Sequence, residues 1–135
     1  MPSADINSLA VVVAALLSMV IGAVWYSPQV FGAAWMKLIG KKEKDLRDGA
    51  TTGYIIAALS FLLVAFVLAH AVDFTRATTF TQGLEVGFWV WLGLIAPIMA
   101  INYSFGNRPQ KLWVIDSGYF LACLLVSGAL LATWV

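Results

Sequence analysis

The chain of 135 residues is strongly apolar, since 61% of its residues are hydrophobic and only 11% are charged. An average soluble domain has about 45–50% apolar and about 25% charged residues, so this composition indicates an integral membrane protein. The formal net charge of +1, with no basic patch in a soluble segment, argues against nucleic acid as a partner.

Short islands of charge divide the chain into four apolar stretches. Each stretch is long enough to cross a hydrocarbon core of about 30 Å as a helix of roughly 20 residues. These segments must be helical, because an unpaired backbone amide in lipid costs several kcal/mol and the strands are too few to close a barrel. We therefore predict an all-α integral membrane four-helix bundle, a single domain over residues 1–135. The predicted spans are residues 6–26, 50–72, 80–105 and 112–134.

Basic residues set the predicted orientation of the bundle. Seven of the eight Lys and Arg residues fall in the loops after the first and third predicted spans, and the remaining one is Arg76. Cytoplasmic loops of membrane proteins carry the excess of Lys and Arg. We therefore expect a multi-pass protein of the bacterial inner membrane, with both termini on the non-cytoplasmic side.

The uncharged run from Ile6 to Met36 is too long for one crossing. Ser27 followed by Pro28 is typical of a helix N-cap with proline at the first helical position, and Gly40 is a typical helix stop. We therefore predict a corner and a short helix over residues 28–39, which lies in the cytoplasmic interface on its apolar face. The alternative is one long, kinked helix.

The third and fourth spans contain signals for local irregularity and close packing. Pro97 removes a backbone hydrogen bond and should bend the third span near its middle. Gly83 and Gly87 form a GxxxG pair, and Gly118 and Ala129 are also small, so these two spans should contain close helix contacts.

Three segments together resemble a known family. They are GAVWYSPQVFGAAWMKLIG near the start, GFWVWLGL in the centre and NRPQKLWVIDSGYFLACLLVSGALLATW at the end. The resemblance rests on the aromatic-Ser-Pro corner, Phe31-Gly32, Trp35, Trp91, Asp116, Gly118, Tyr119 and Trp134. The chain resembles the uncharacterised bacterial membrane family called domain of unknown function 1761. This resemblance implies a four-helix membrane fold and no particular reaction, and it transfers no catalytic residue.

Ionisable side chains within the spans are candidates for function, because they are costly in lipid. Glu85 and His70 should lie at the outer side of the membrane. As a pair they would shuttle protons, since burial and a charged neighbour shift the ionisation of both groups. The alternative is a structural hydrogen-bonded pair, or two groups that reach headgroup water.

Asp116 should lie at the cytoplasmic side, at the depth of Tyr26, Ser27, Asn102 and Tyr103. With Arg108 or Lys111 these residues would form a polar pocket for a lipid headgroup or a small solute. The alternative is a structural role in which Asp116 favours the helix dipole and pairs with Arg108.

Other classes of site find little support in the sequence. One histidine and one cysteine do not supply a typical metal site, and Cys123 reads as a small buried hydrophobe. Trp25, Trp35, Trp113 and Trp134 fit membrane interfaces better than cofactor stacking, whereas one of Trp89 and Trp91 should pack between helices. No hydrolase or phosphate-loop motif is present, so we expect neither a catalytic residue nor a cofactor.

These observations favour a non-enzymatic membrane protein that acts by association. It would be a homo-oligomer or a small accessory subunit of a membrane complex, with membrane lipids and other membrane subunits as its partners. The alternative is a small oligomeric transporter or channel for a solute, a lipid or protons.

Overall fold

The computed structural model describes residues 5–134, and every regular element in this part of the chain is helical. The predicted all-α class is therefore confirmed. A π-helical turn, Trp91–Ile95, joins two of the helices into one continuous span. The α-helices are α1 (Ser8–Trp25), α2 (Gly32–Ile39), α3 (Glu43–Arg47), α4 (Ala50–Phe74), α5 (Phe80–Val90), α6 (Ala96–Phe105) and α7 (Gln110–Thr133). Residues 1–4 and 135 of the predicted domain lie outside the described part.

Four helical segments are long and apolar enough to cross a membrane, as predicted. They are α1, α4, the continuous segment Phe80–Phe105 and α7. Their ends differ from the predicted ends by at most two residues. The Asn7 side chain accepts hydrogen bonds from the Leu9 and Ala10 amides at the start of α1. The protein is therefore a multi-pass membrane protein.

The corner after α1 is built differently from the prediction. Ser27 does not cap α2, because its hydroxyl donates back to the Val24 carbonyl at 2.7 Å. Residues 26–31 form turns, and Phe31 is the residue that precedes α2. The predicted short helix exists, but it starts at Gly32 rather than Pro28 and ends before Gly40, whose φ is 71°. The alternative of one kinked helix is wrong.

Gly32 explains why α2 starts where it does. A β-carbon at Gly32 would collide with the main-chain carbonyls of Tyr26 and Ser27. The chain therefore folds back tightly on itself, and α2 is held against the end of α1. The ring of Tyr26 packs edge-on against Trp35 with 5.4 Å between centroids, which fixes the direction of α2.

The irregularity expected at Pro97 takes the form of a π-helical turn that ends two residues before the proline. In this turn the Ala96 amide donates to the Trp91 carbonyl, five residues back. Single π turns occur mostly within α-helices and often near functional sites. The turn brings Ile95 to the wall of a cavity described below.

Helix α7 lies at the centre of the bundle and packs against α1, α4, α5 and α6. The closest contact is with α5, where Gly83 faces the Gly128 carbonyl and Gly87 faces the Leu124 carbonyl. The predicted close contact of the GxxxG pair is confirmed. Cys123 is 2% exposed, as expected for a buried hydrophobe. Because α7 is central, Asp116, Ser117 and Ser127 on it are buried against the other helices.

Candidate functional site

Asp116, near the start of α7, accepts hydrogen bonds from two phenols. The Tyr26 hydroxyl donates to Oδ1 at 2.6 Å, and the Tyr103 hydroxyl donates to Oδ2 at 2.6 Å. The aspartate is 9% exposed. Hydrogen bonds of this length to a carboxylate are charge-assisted and strong. These three residues, which we call the Asp116 clamp, join the ends of α1 and α6 to α7.

Only part of the predicted cytoplasmic pocket converges on Asp116. Tyr26 and Tyr103 reach the carboxylate, whereas the Ser27 hydroxyl is bound to the main chain of α1. Asn102 is exposed, and its backbone carbonyl accepts the Gly106 amide. These residues therefore do not form one polar pocket.

The predicted ion pair between Asp116 and Arg108 is wrong. The guanidinium of Arg108 instead lies over the ring of Tyr103, 5.0 Å from its centroid. Both carboxylate oxygens are already occupied by phenols. The exposed cation therefore stacks on the outer face of the clamp, where water also reaches it.

Near the clamp, aromatic side chains of α1 and α7 donate hydrogen bonds to main-chain carbonyls of the neighbouring helix. The Tyr119 hydroxyl donates to Ser18 of α1 at 2.7 Å, and the Trp25 indole donates to Ile115 at 3.0 Å. Small residues make room for these rings. A β-carbon at Gly22 would lie 2.6 Å from the Tyr119 oxygen, and one at Gly118 would lie 3.2 Å from the Trp25 ring.

Two further tryptophans tie the third span to α7. The Trp91 indole donates to the Ser117 carbonyl at 2.7 Å, and the Trp113 indole donates to the Ala96 carbonyl at 3.0 Å. Trp89 is 65% exposed. The expectation that one of Trp89 and Trp91 packs between helices is therefore confirmed, and that residue is Trp91.

The structure does not bring Glu85 and His70 together. The His70 ring nitrogen Nδ1 lies 2.9 Å from the Phe66 carbonyl of its own helix. Glu85 is exposed on α5 and lines a shallow cavity with Thr75 and Gln82. Within residues 5–134, no hydrogen bond or ion pair joins the two side chains. The arrangement therefore contains no Glu–His pair for proton transfer.

A cavity of about 540 Å³, which we call the lateral cavity, lies between α4 and α6, with α7 as its floor. Its α6 wall includes Ile98 and Met99, and its floor includes Tyr119, Phe120 and Cys123. The volume is within the range of about 300–1,000 Å³ that is typical of ligand pockets.

A second cavity of about 480 Å³ lies between α1 and α4, next to α2 and α3. We call this the inner cavity. Tyr26 and Trp35 line it from one side, and Glu43 lines it from α3. The two cavities share four lining residues: Gly53, Ala57, Phe61 and Tyr119. They therefore adjoin behind the first half of α4, where Gly53 and Ala57 are too small to fill the space.

The site residues that sequence reasoning missed include Tyr119, Phe61 and Gly53, each of which lines both cavities. Tyr119 lies three residues after Asp116 and therefore on the same face of α7, and this spacing was the available signal. Phe61 and Gly53 carried no signal, because one apolar residue among many in a span does not indicate a cavity. Between Asp5 and Trp134, no three His, Cys, Asp or Glu side chains cluster as metal ligands would.

Comparison with known proteins gives a family for the chain. No curated protein and no solved structure matches it. A family model described as a protein of unknown function, DUF1761, matches residues 9–132. The matched range includes the Asp116 clamp, both cavities and all of the four spans except Ser8 and Thr133. The chain belongs to the DUF1761 family of proteins of unknown function.

Proposed function

We propose that the protein binds a membrane amphiphile without transforming it, with the apolar chain of the amphiphile in the lateral cavity and its polar end in the inner cavity. The observation that carries this proposal is that the two cavities share the lining residues Gly53, Ala57, Phe61 and Tyr119, which we call the junction. A molecule that lies across the junction would reach from the lipid-facing side of the bundle to the charged loop.

The chemistry of the lateral cavity supports an apolar occupant. Of the hydroxyl groups that line it, Ser18 donates to the Ala14 carbonyl and Tyr119 donates to the Ser18 carbonyl, which leaves those of Ser60 and Ser127. Among the described residues, no buried side-chain polar atom lacks a hydrogen-bond partner. A polar ligand would lose its bonds to water there and gain few in return, so an acyl chain fits better.

The inner cavity supports a polar end for the same molecule. Glu43 and Leu46 of α3 line this cavity at the side of the charged loop, together with the exposed Tyr54 of α4. The Glu43 carboxylate lies 3.5 Å from Arg47 and remains exposed. A polar group placed here would keep contact with water and with the loop.

We propose binding without catalysis because two potential nucleophiles at the lateral cavity, Ser18 and Cys123, lack an activating partner. The Ser18 hydroxyl donates to a main-chain carbonyl, and the Cys123 sulfur lies 3.8 Å from the Ser18 carbonyl oxygen. A nucleophile needs an adjacent base or a lowered pKa for activation. Main-chain carbonyls supply neither.

The proposed location is the bacterial inner membrane, with both termini on the non-cytoplasmic side. The loop that contains α2 and α3 and the loop before α7 hold seven of the eight basic residues. Because α2 packs against α7 near Lys111, the two loops lie at the same end of the bundle. Helix α2 would lie in the cytoplasmic interface, with Trp35 at headgroup depth.

Association as a homo-oligomer or as a small accessory subunit is part of the same proposal. Large apolar side chains are exposed on every span, and in a membrane they face either lipid or another subunit.

The transport alternative has its own test. In proteoliposomes, Glu85→Gln would abolish flux while leaving thermal stability largely unchanged, since Glu85 is exposed.

The experiment for the amphiphile site uses a plug variant. Gly53 lines both cavities, and a β-carbon there meets no atom within 4 Å. The variant Gly53→Leu should therefore fold normally and fill the junction. The control is Gly93→Leu, since Gly93 also has open space but lines neither cavity.

Native mass spectrometry of protein extracted gently from bacterial membranes would measure the retained amphiphile and the oligomer mass. We expect the wild type and Gly93→Leu to retain about one amphiphile per chain more than Gly53→Leu, in which occupancy of the lateral and inner cavities should fall by about tenfold or more. Equal retention by wild type and Gly53→Leu would contradict the proposal.

A further inference from the structure

A third cavity of about 770 Å³ lies between α2 and the first two turns of α7. We call it the α2–α7 groove. Lys37 contributes to it from α2, and Lys111 contributes from α7. The remaining lining is mostly apolar and includes Phe31, Leu38 and Val114. The groove therefore combines two cations with hydrocarbon walls.

Both lysines are free to bind an anion. Within the described residues, no hydrogen bond or ion pair involves either ammonium group, and the ion pair that is present joins Arg47 to Glu43. Lys37 is the one charged residue of α2. On the facing part of α7 the charged residues are Lys111 and Asp116, and both Asp116 oxygens are occupied by tyrosines. Hydrogen bonds from phenols do not neutralise a carboxylate, but Asp116 does not line the groove, so Lys37 and Lys111 give the groove itself a net positive charge.

The exposed apolar walls of the groove indicate which class of anion it would bind. Val114 is 55% exposed and Phe31 is 37% exposed, and both lie beside the lysines in the groove. A small soluble anion would leave these apolar surfaces in contact with water. An anion with an attached hydrocarbon chain would pair with the lysines and cover the walls.

We propose that the α2–α7 groove binds one anionic phospholipid, whose phosphate lies between Lys37 and Lys111 and whose chain covers Phe31, Leu38 and Val114. This site goes beyond the proposed function, since it shares no lining residue with the lateral or inner cavity. The bound lipid would hold α2 against α7. It would thereby hold the corner between Tyr26 and Gly32 that forms one side of the inner cavity.

The test compares variants in nanodiscs of mixed phosphatidylglycerol and phosphatidylcholine. The site variant is Lys37→Gln/Lys111→Gln. The control Lys41→Gln/Lys44→Gln removes the same charge at the same end of the bundle but outside the groove. A second site variant, Lys37→Arg/Lys111→Arg, keeps both charges. Native mass spectrometry after release measures how much phosphatidylglycerol each protein retains relative to phosphatidylcholine.

We expect the wild type, the control and the arginine variant to retain one phosphatidylglycerol molecule in preference to phosphatidylcholine. The glutamine site variant should lose this preference by about tenfold or more, the scale of one charge-assisted hydrogen bond. The four lysines that these variants replace are exposed, so the substitutions leave the core unchanged.

Three results would overturn the proposal. One is an equal loss in the site variant and the control, which would indicate general attraction to an anionic surface. Another is full retention by the glutamine site variant. The third is retention of free inorganic phosphate in place of the lipid when both are supplied. Gly53→Leu retains both lysines, so failure of the amphiphile site and failure of the groove are measured separately.

Discussion

The phenolic oxygen of Tyr26 lies 2.6 Å from Oδ1 of Asp116, although the two residues are 90 positions apart in the chain. This bond joins the end of α1 to the start of α7. Tyr103 occupies the other carboxylate oxygen and adds the end of the third span. Because Tyr26 also lines the inner cavity, the clamp positions one wall of the proposed amphiphile site.

The first prediction is that Tyr26 and Asp116 are energetically coupled. In a double-mutant cycle of Tyr26→Phe and Asp116→Leu, the two changes should be non-additive by about 1.5–3 kcal/mol, the range for a hydrogen bond to a charged group. Unfolding in mixed detergent micelles measures the free energies. Tyr54→Phe is the control, because Tyr54 is 68% exposed and should be additive with Asp116→Leu. Additivity of Tyr26→Phe would show that the carboxylate does not depend on this phenol.

The second prediction concerns the contact between α5 and α7. Gly87→Ala places a methyl group against the Leu124 carbonyl, which is backbone and does not move aside. We expect a loss of about 1–3 kcal/mol or more in stability, the usual cost of overpacking. Gly53→Ala is the matched control, because its β-carbon meets open space and its stability should stay within about 1 kcal/mol of wild type. Similar stabilities for both variants would mean that the two helices lie further apart.

The third prediction is the orientation of the loops. In a Cys123→Ser background, Lys44→Cys should react with a membrane-impermeant maleimide only after the cells are opened. Arg76→Cys should react in intact cells that lack the outer membrane barrier, because it lies at the opposite end of the bundle. The positive-inside distribution of Lys and Arg is the physical reason. Reversed labelling of the two positions would place the termini in the cytoplasm.

The spans were predictable because the apolar runs and the charge islands are local features of the sequence. The ends of α1 and α7 followed within two residues. The start of α2 was predicted too early. Ser27-Pro28 is typical of a helix start, but the close approach of Gly32 to the preceding carbonyls places the start later. A tight tertiary contact overrode a local capping preference there.

The site was predictable only in part, for a related reason. Tyr26, Tyr103 and Asp116 shared a predicted depth, and the structure joins them. Depth alone does not specify rotation about the helix axis, so Ser27 and Asn102 were expected at the same site and do not reach it. The two cavities depend on how the first half of α4 is placed relative to α1 and α7. No pattern of residues within α4 predicts how this helix is placed.

The most direct test of the amphiphile site is photolabelling with an amphiphile that carries a diazirine in its acyl chain, present at a low mole fraction in nanodiscs. We predict saturable adducts inside the lateral cavity, on Ile95, Met99 and Phe120, and loss of these adducts in Gly53→Leu but not in Gly93→Leu. Adducts confined to the outward-facing Leu59 and Leu63, each 64% exposed, and unchanged in Gly53→Leu would contradict the account.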